Sequence, residues 1–217
     1  MKNKIFITVI VVLAIAAAAV WYFVVFSIKP EPVQTSQNSS AGTASKKEAP
    51  QSDSKFTNLK GDAFDEAYIA DMLAHHEGAL NMAESAGAFA VHDEIRTLAG
   101  NIIQTQGAEV MKMRTWQKEW GYKETMSGGH MSHSGGGMDM AGDMVEMQNK
   151  LQGLTGEAYD KEFLKQMIIH HEQAIEMSQY AETNAKHQEI KDLAADVISA
   201  QTTEIEQMKQ WQKEWGY

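Results

Sequence analysis

Met72-Leu73-Ala74-His75-His76-Glu77-Gly78-Ala79-Leu80-Asn81-Met82 returns 95 residues later as Met167-Ile168-Ile169-His170-His171-Glu172-Gln173-Ala174-Ile175-Glu176-Met177. Both stretches lie inside a longer duplication, in which residues 61–122 align with 156–217 without a gap and share 27 of 62 positions. Both copies close on Trp-Gln-Lys-Glu-Trp-Gly-Tyr (116–122 and 211–217). In each copy the apolar residues recur at helical spacing. Tyr68, Ile69, Met72, Leu73, His76, Ala79, Leu80 and Ala83 make one stripe, with Gly87 expected as its C-cap. Ile95, Leu98, Ala99, Ile102, Gln106, Val110, Met113, Trp116 and Trp120 make the next. Strand-type alternation is absent. Two helical hairpins that are each apolar on one face bury those faces best against each other. The expected fold is therefore all-α: duplicated helical hairpins forming a four-helix bundle over residues 56–217. The 33-residue connection 123–155 is long enough to cross the bundle, as in ferritin-like topology, while an up-down-up-down order is the alternative.

Ahead of the bundle the chain changes character. Residues 5–28 carry no charge over 24 positions, enough for one N-terminal transmembrane helix. A cleaved signal peptide has a shorter apolar core, and here the run continues past Ala16, Ala17, Ala18 and Ala19 through Val20, Trp21, Tyr22 and Phe23. Residues 1–29 are accordingly read as an uncleaved anchor, with cleavage as the alternative. Lys2 and Lys4 against Lys29 place the N-terminus in the cytoplasm and the remainder outside it. Residues 30–55 are rich in Ser, Gln, Thr, Ala and Lys and cannot bury a core, which reads as a disordered tether.

Composition narrows the chemistry. There is no cysteine, so disulfides, iron–sulfur clusters, thiolate zinc sites and cysteine nucleophiles are excluded. A net charge of −10 argues against nucleic acid as a partner and for cations. On a helical wheel with His75 at zero, Met72 falls near 60°, His76 near 100° and Met82 near −20°, at about 100° per residue. Two imidazoles and two thioethers thus share the apolar face in each copy: Met72, His75, His76 and Met82, then Met167, His170, His171 and Met177. Imidazole binds copper, and thioether selects soft ions such as Cu(I) and, by the same softness, Ag(I). The competing reading is a packed core with hydrogen-bonded histidines. Gln106 and Glu109, repeated as Gln201 and Glu204, face the histidines from the second helix of each copy and are expected to orient them. Glu77 and Glu172 read as solvated, Met113 and Met208 as plain core, and His92 and His187 as neutral or solvated helix starts.

Six of the 14 methionines fall in residues 126–147: Met126, Met131, Met138, Met140, Met144 and Met147, joined by His130 and His133 in a glycine-rich run. A flexible ribbon of thioethers and imidazoles suits Cu(I) or Ag(I), with Cu(II) at the histidines. The alternative is a linker in which Met140, Met144 and Met147 lie on one face of a short packed helix.

The paired Met-x-x-His-His-Glu-x-Ala-x-x-Met motifs resemble the signature of the bacterial domain-of-unknown-function family numbered 305, across residues 62–217. That family is described as ferritin-like and includes periplasmic copper-binding proteins of the CopM type. The resemblance implies an extracytoplasmic helical binder of copper or silver, with the matching residues of both motifs as ligands. The leading expectation is a membrane-anchored metal-binding protein for copper sequestration, resistance or transfer, and not an enzyme. A ferritin-like di-metal oxidase would need Glu-x-x-His on two helices, which this chain lacks around its histidine pairs. A helical interaction module without metal is the third reading.

Overall fold

The computed structural model describes residues 55–124 and 140–217. The expected anchor, nearly all of the tether, and Met126, His130, Met131, His133 and Met138 lie outside the described residues, as does the side chain of Met140. Among the described residues there are helices and turns but no strand, and no helix is long and apolar enough to cross a membrane.

A single 3-10 turn, Lys55–Thr57, opens the fold, so the tether gives way to structure at Lys55, whose ammonium pairs with Asp71 at 2.6 Å. Six helices follow: α1 (Asp62–Phe89), α2 (Asp93–Glu119), α3 (Met140–Leu151), α4 (Gly156–Ser178), α5 (Ala181–Asn184) and α6 (Gln188–Trp215). Asp62 and Asp65 lie in the first turn of α1, and Asp93 and Glu94 in that of α2, where they favour the positive end of the helix dipole. Gly87 does not cap α1. The helix runs on to Phe89, and the extended Ala90 ends it with its N–H on the Ala86 carbonyl. The expected glycine stop is instead found after α2 and α6. Gly121 and Gly216 take φ of 71° and 73°, and Tyr122 and Tyr217 donate N–H to Gln117 and Gln212.

α1 and α2 are antiparallel, since the Tyr122 hydroxyl reaches back to Asp62 at 2.7 Å. α1 and α4 are antiparallel too: Tyr68 meets Ser178 (2.9 Å), and Ser85 meets Tyr159 (2.6 Å). Between these contacts His75 meets His170, its own counterpart in the repeat. The two halves are therefore related by a pseudo-two-fold axis through that point. α2 ends beside the start of α1, whereas α4 starts beside its end, so the connection must travel the length of the bundle. This is the crossover order and not up-down-up-down. On the way, α3 packs on α1 and α4.

The repeat is not copied perfectly. Where α1 is continuous, its counterpart breaks at Gln179 and Tyr180 into α4 and α5. There Phe56 stacks on Tyr180, and its carbonyl accepts from Asn184 at 2.7 Å, so the entering chain docks on the break.

Each half caps the other. Asp65, fully buried, accepts the backbone N–H groups of Lys186 (3.1 Å) and His187 (3.0 Å) and the His187 Nδ1–H (2.7 Å). Asp160 does the same for Val91 and His92, with His92 Nδ1–H donating at 2.6 Å. Each histidine ring stacks on a tryptophan of the opposite half's closing motif: the Trp120 and His187 ring centroids lie 3.8 Å apart, as do those of Trp215 and His92. His92 and His187 are thus held, not merely solvated, and the Trp motifs anchor the half-to-half contact.

Removing one of these carboxylates leaves buried donors without an acceptor, at a cost of about 3 kcal/mol. Asp65→Ala or Asp160→Ala should lower the melting temperature by roughly 5–10 °C. A shift under about 2 °C in circular-dichroism melts would show that the caps carry little of the fold.

Candidate metal site

His75 and His76 are neighbours on α1, so their side chains diverge by about 100°. His75 faces α4 and His76 turns to α2, and the repeat does the same with His170 and His171. All four rings are fully buried. The His75 and His170 rings stack, with centroids 3.6 Å apart and planes 29° from parallel.

The hydrogen bonds assign the tautomers. His76 Nε2–H donates to Glu109 at 2.7 Å, and His171 Nε2–H to Glu204 at 2.6 Å. His170 Nε2–H donates to the His75 carbonyl at 2.9 Å. That leaves the Nδ1 of His76, His170 and His171 without a partner, and both ring nitrogens of His75. Burial, reinforced by the neighbouring imidazoles, holds the pKa of His75 well below the ordinary histidine value, and burial does the same for His170. Both rings are therefore neutral near pH 7, so His170 keeps a lone pair on Nδ1 and His75 keeps one on whichever of its two nitrogens does not carry the proton. A buried polar atom without a partner costs about 1–3 kcal/mol. Three imidazoles oriented by a carboxylate or a carbonyl, each with its other nitrogen buried and bare, and a fourth, His75, with neither nitrogen engaged, match the arrangement that prepares histidine for a metal.

This polar layer divides the core. One apolar cluster holds Met82 and Met167 with Ile95, Leu98, Ile102, Tyr159 and Phe163. The other holds Met72 and Met177 with Phe64, Tyr68, Ile190, Leu193 and Val197. The four motif methionines thus flank the layer in crossed pairs, one from each helix. Met113 and Met208 are core, as expected. Gln106 and Gln201 are buried on the facing helices, each with an unpartnered side-chain oxygen. Among the described residues no three His, Asp or Glu side chains converge as a metal cage.

Glu109 and Glu204 meet His76 and His171 directly, the orienting role expected of them, whereas other parts of the arrangement escaped the sequence reading. Glu172 is solvated as expected, in a surface pair with Lys209, whereas Glu77 is mostly covered and pairs with Arg114. Met144 and Met147 lie buried on α3, within the cluster of Met82, and not on a free ribbon. Asp65 and Asp160 were passed over, although both are identical between the repeats, which is the signal that could have found them.

A family model described as Domain of unknown function (DUF305) matches residues 29–92 and 65–212. Among solved structures, CopM in its Cu(I)-bound form aligns with a TM-score of 0.57 and 33% identity, over 70% of this chain and 96% of that one. CopM in its Cu(II)-bound form gives a TM-score of 0.58 and 35% identity, over 72% and 99%. CopM in a silver-bound form gives 0.56 and 33%, over 70% and 96%. A family protein from Streptomyces coelicolor described as secreted gives 0.60 at 24% identity, over 70% and 94%, a likeness of fold alone. Uncharacterized protein L153 of Acanthamoeba polyphaga mimivirus is 45% identical over 49 residues, 23% of this chain and 32% of that protein. The match thus spans about a third of that relative's length.

The neutral histidines set a pH dependence. Their folded pKa values lie below the ordinary 6.5, so below that pH the unfolded chain binds protons that the folded chain refuses. Stability of the metal-free protein should fall as pH drops from about 6.5, by up to ~3 kcal/mol per pH unit with both rings neutral. His76 and His171 face the same rings and oppose their charging further. The slope should shrink in a His75→Gln, His170→Gln variant. Equal slopes in the two proteins would contradict the assignment.

Proposed function

We propose that this chain, which belongs to the family described as Domain of unknown function (DUF305), binds monovalent copper as cargo between its paired repeats. The observation that carries the reading is the set of unpartnered Nδ1 atoms on His75, His76, His170 and His171, buried and turned inward. A closed apolar bundle keeps such atoms bare only at a cost, and a soft cation removes it. Glu109, Glu204 and the His75 carbonyl hold His76, His171 and His170 in the tautomers that leave their Nδ1 atoms free. Met72, Met82, Met167 and Met177 supply polarizable thioethers on either side of the layer. The likeness to CopM, which has been solved with Cu(I), with Cu(II) and with silver, supports copper as the cargo, and the choice of the monovalent ion rests on the donors.

The fold proposed is a ferritin-like bundle over residues 56–217, on a tether (30–55) and an anchor (1–29) with the N-terminus cytoplasmic. The bundle would stand outside the cytoplasm, as the lysines flanking the apolar run imply. The protein would sequester copper there or pass it on, without catalysing a reaction. Met126, Met131 and Met138 with His130 and His133 offer a second, softer place for the same cargo.

The test is a Cu(I) titration of the full chain against a competing chromophoric chelator, repeated with all four histidines changed to Gln. A loss of more than ~100-fold in affinity is expected. Undiminished binding would move the cargo to residues 126–147. A wild-type chain without Cu(I) affinity would leave a packing or interaction module.

A further inference from the structure

The pseudo-two-fold relates the two halves of the histidine layer, but the chain breaks that symmetry on the flank of α1. Gly78 of α1 corresponds to Gln173 of α4. Gly78 is not there for backbone freedom, since it lies inside a regular helix. It is there for room: a Cβ at 78 would sit 2.5 Å from both Cγ and Sδ of Met144 and 2.9 Å from its Cβ. Met144 of α3 therefore fills the notch that Gly78 leaves. At position 173 the side chain is kept, and its Nε2 donates to Asp143 at 3.1 Å. Two consecutive residues of α3 thus engage the two equivalent positions, and α3 lies astride the pseudo-two-fold.

The direction of the notch matters. Gly78 lies three residues after His75, about −60° around α1, on the flank opposite His76 and α2. A side chain at 78 would lean toward the helix N-terminus and cover the turn that carries His75. The Met144 sulfur occupies that space. The symmetry also breaks at His75 itself. His170 spends its Nε2–H on the His75 carbonyl, whereas both nitrogens of His75 are bare. The half of the layer with a free imidazole is the half that receives a buried thioether from the crossover helix.

We propose that Met144, admitted by Gly78, is a third soft donor for a monovalent cation at His75, and that α3 closes the groove between α1 and α4 over it. The inference rests on the histidine layer being the cargo site. It makes the two repeats unequal: the His75 side is the tighter one, and its ligand comes from the one helix that has no counterpart in the duplication.

The experiment is silver titration of the full chain labelled with 13C at the methionine methyls. Silver is diamagnetic, and Met144→Leu identifies the Met144 resonance. The Met144 methyl should shift with the first equivalent of silver. Met144→Leu, close in volume, should melt near wild type yet lose ~10-fold in Ag(I) and Cu(I) affinity. Gly78→Ala, which pushes Met144 out of the notch, should do the same. If silver still binds through the histidines while the Met144 methyl stays put and Met144→Leu binds normally, the inference fails and the histidine site stands. If the histidine variant binds silver as wild type does, both readings fall.

Discussion

The contact on which the rest of the structure turns is His75 against His170, two imidazoles 3.6 Å apart at the crossing of α1 with its own repeat. Were both rings charged, their repulsion would reach about 4–5 kcal/mol even at an effective dielectric near 20. The bundle can close only with neutral rings, and burial enforces that. Neutral rings stack as aromatics and keep their lone pairs. The same condition that lets the helices approach therefore leaves inward-facing nitrogens that nothing in the protein satisfies. Stability and ligand capacity are not separate features here.

The duplication explains how such a layer is held. A helix that meets its own copy antiparallel must place one residue on the axis, and here it is histidine. The ends of the helices are then fixed from the opposite half, by Asp65 on His187 and Asp160 on His92, under Trp120 and Trp215. Neither hairpin caps its own second helix with a side chain. The layer at the centre and the clasps at the two ends together restrain sliding of one hairpin along the other, which would shift the register of every ring. The departures from symmetry fall elsewhere: at the Phe56–Tyr180 contact, and where α3 rests on Gly78 and Gln173.

Much of this was legible in the sequence because the repeat acts as a measured comparison within one chain. Helical periodicity, the hairpins, the long connection and the His-His pairs follow from it directly. Glu109 was visible as a polar residue on an apolar stripe, but its exact partner depends on hairpin register. That register is set by the extended Ala90, not by Gly87, and a glycine near a helix end is only a statistical sign of a stop. His92 was misjudged because its partners, Asp160 and Trp215, lie in the other half and share no local pattern with it. Gly78 carried no signal at all, since its meaning is the space that a residue 66 positions away occupies. Contacts made across the pseudo-two-fold are symmetric and so can be guessed once one is known; contacts made by α3 occur once and cannot.

The charge proposed for the cargo rests on the same interior. Every donor turned into the layer is neutral: imidazole nitrogen, thioether sulfur, amide oxygen. The nearest carboxylates, Glu109 and Glu204, are engaged by the outer nitrogens of His76 and His171 and reach toward the surface. The cost of desolvating an ion grows with the square of its charge, so a divalent ion in such a site pays about four times what a monovalent one does. Hard divalent ions also want oxygen ligands, which this layer lacks in number. The acidic exterior, at a net charge of −10, draws cations without distinguishing them. Selection then falls to the interior, where a singly charged soft ion fits neutral soft donors and leaves no charged ligand to be buried with it.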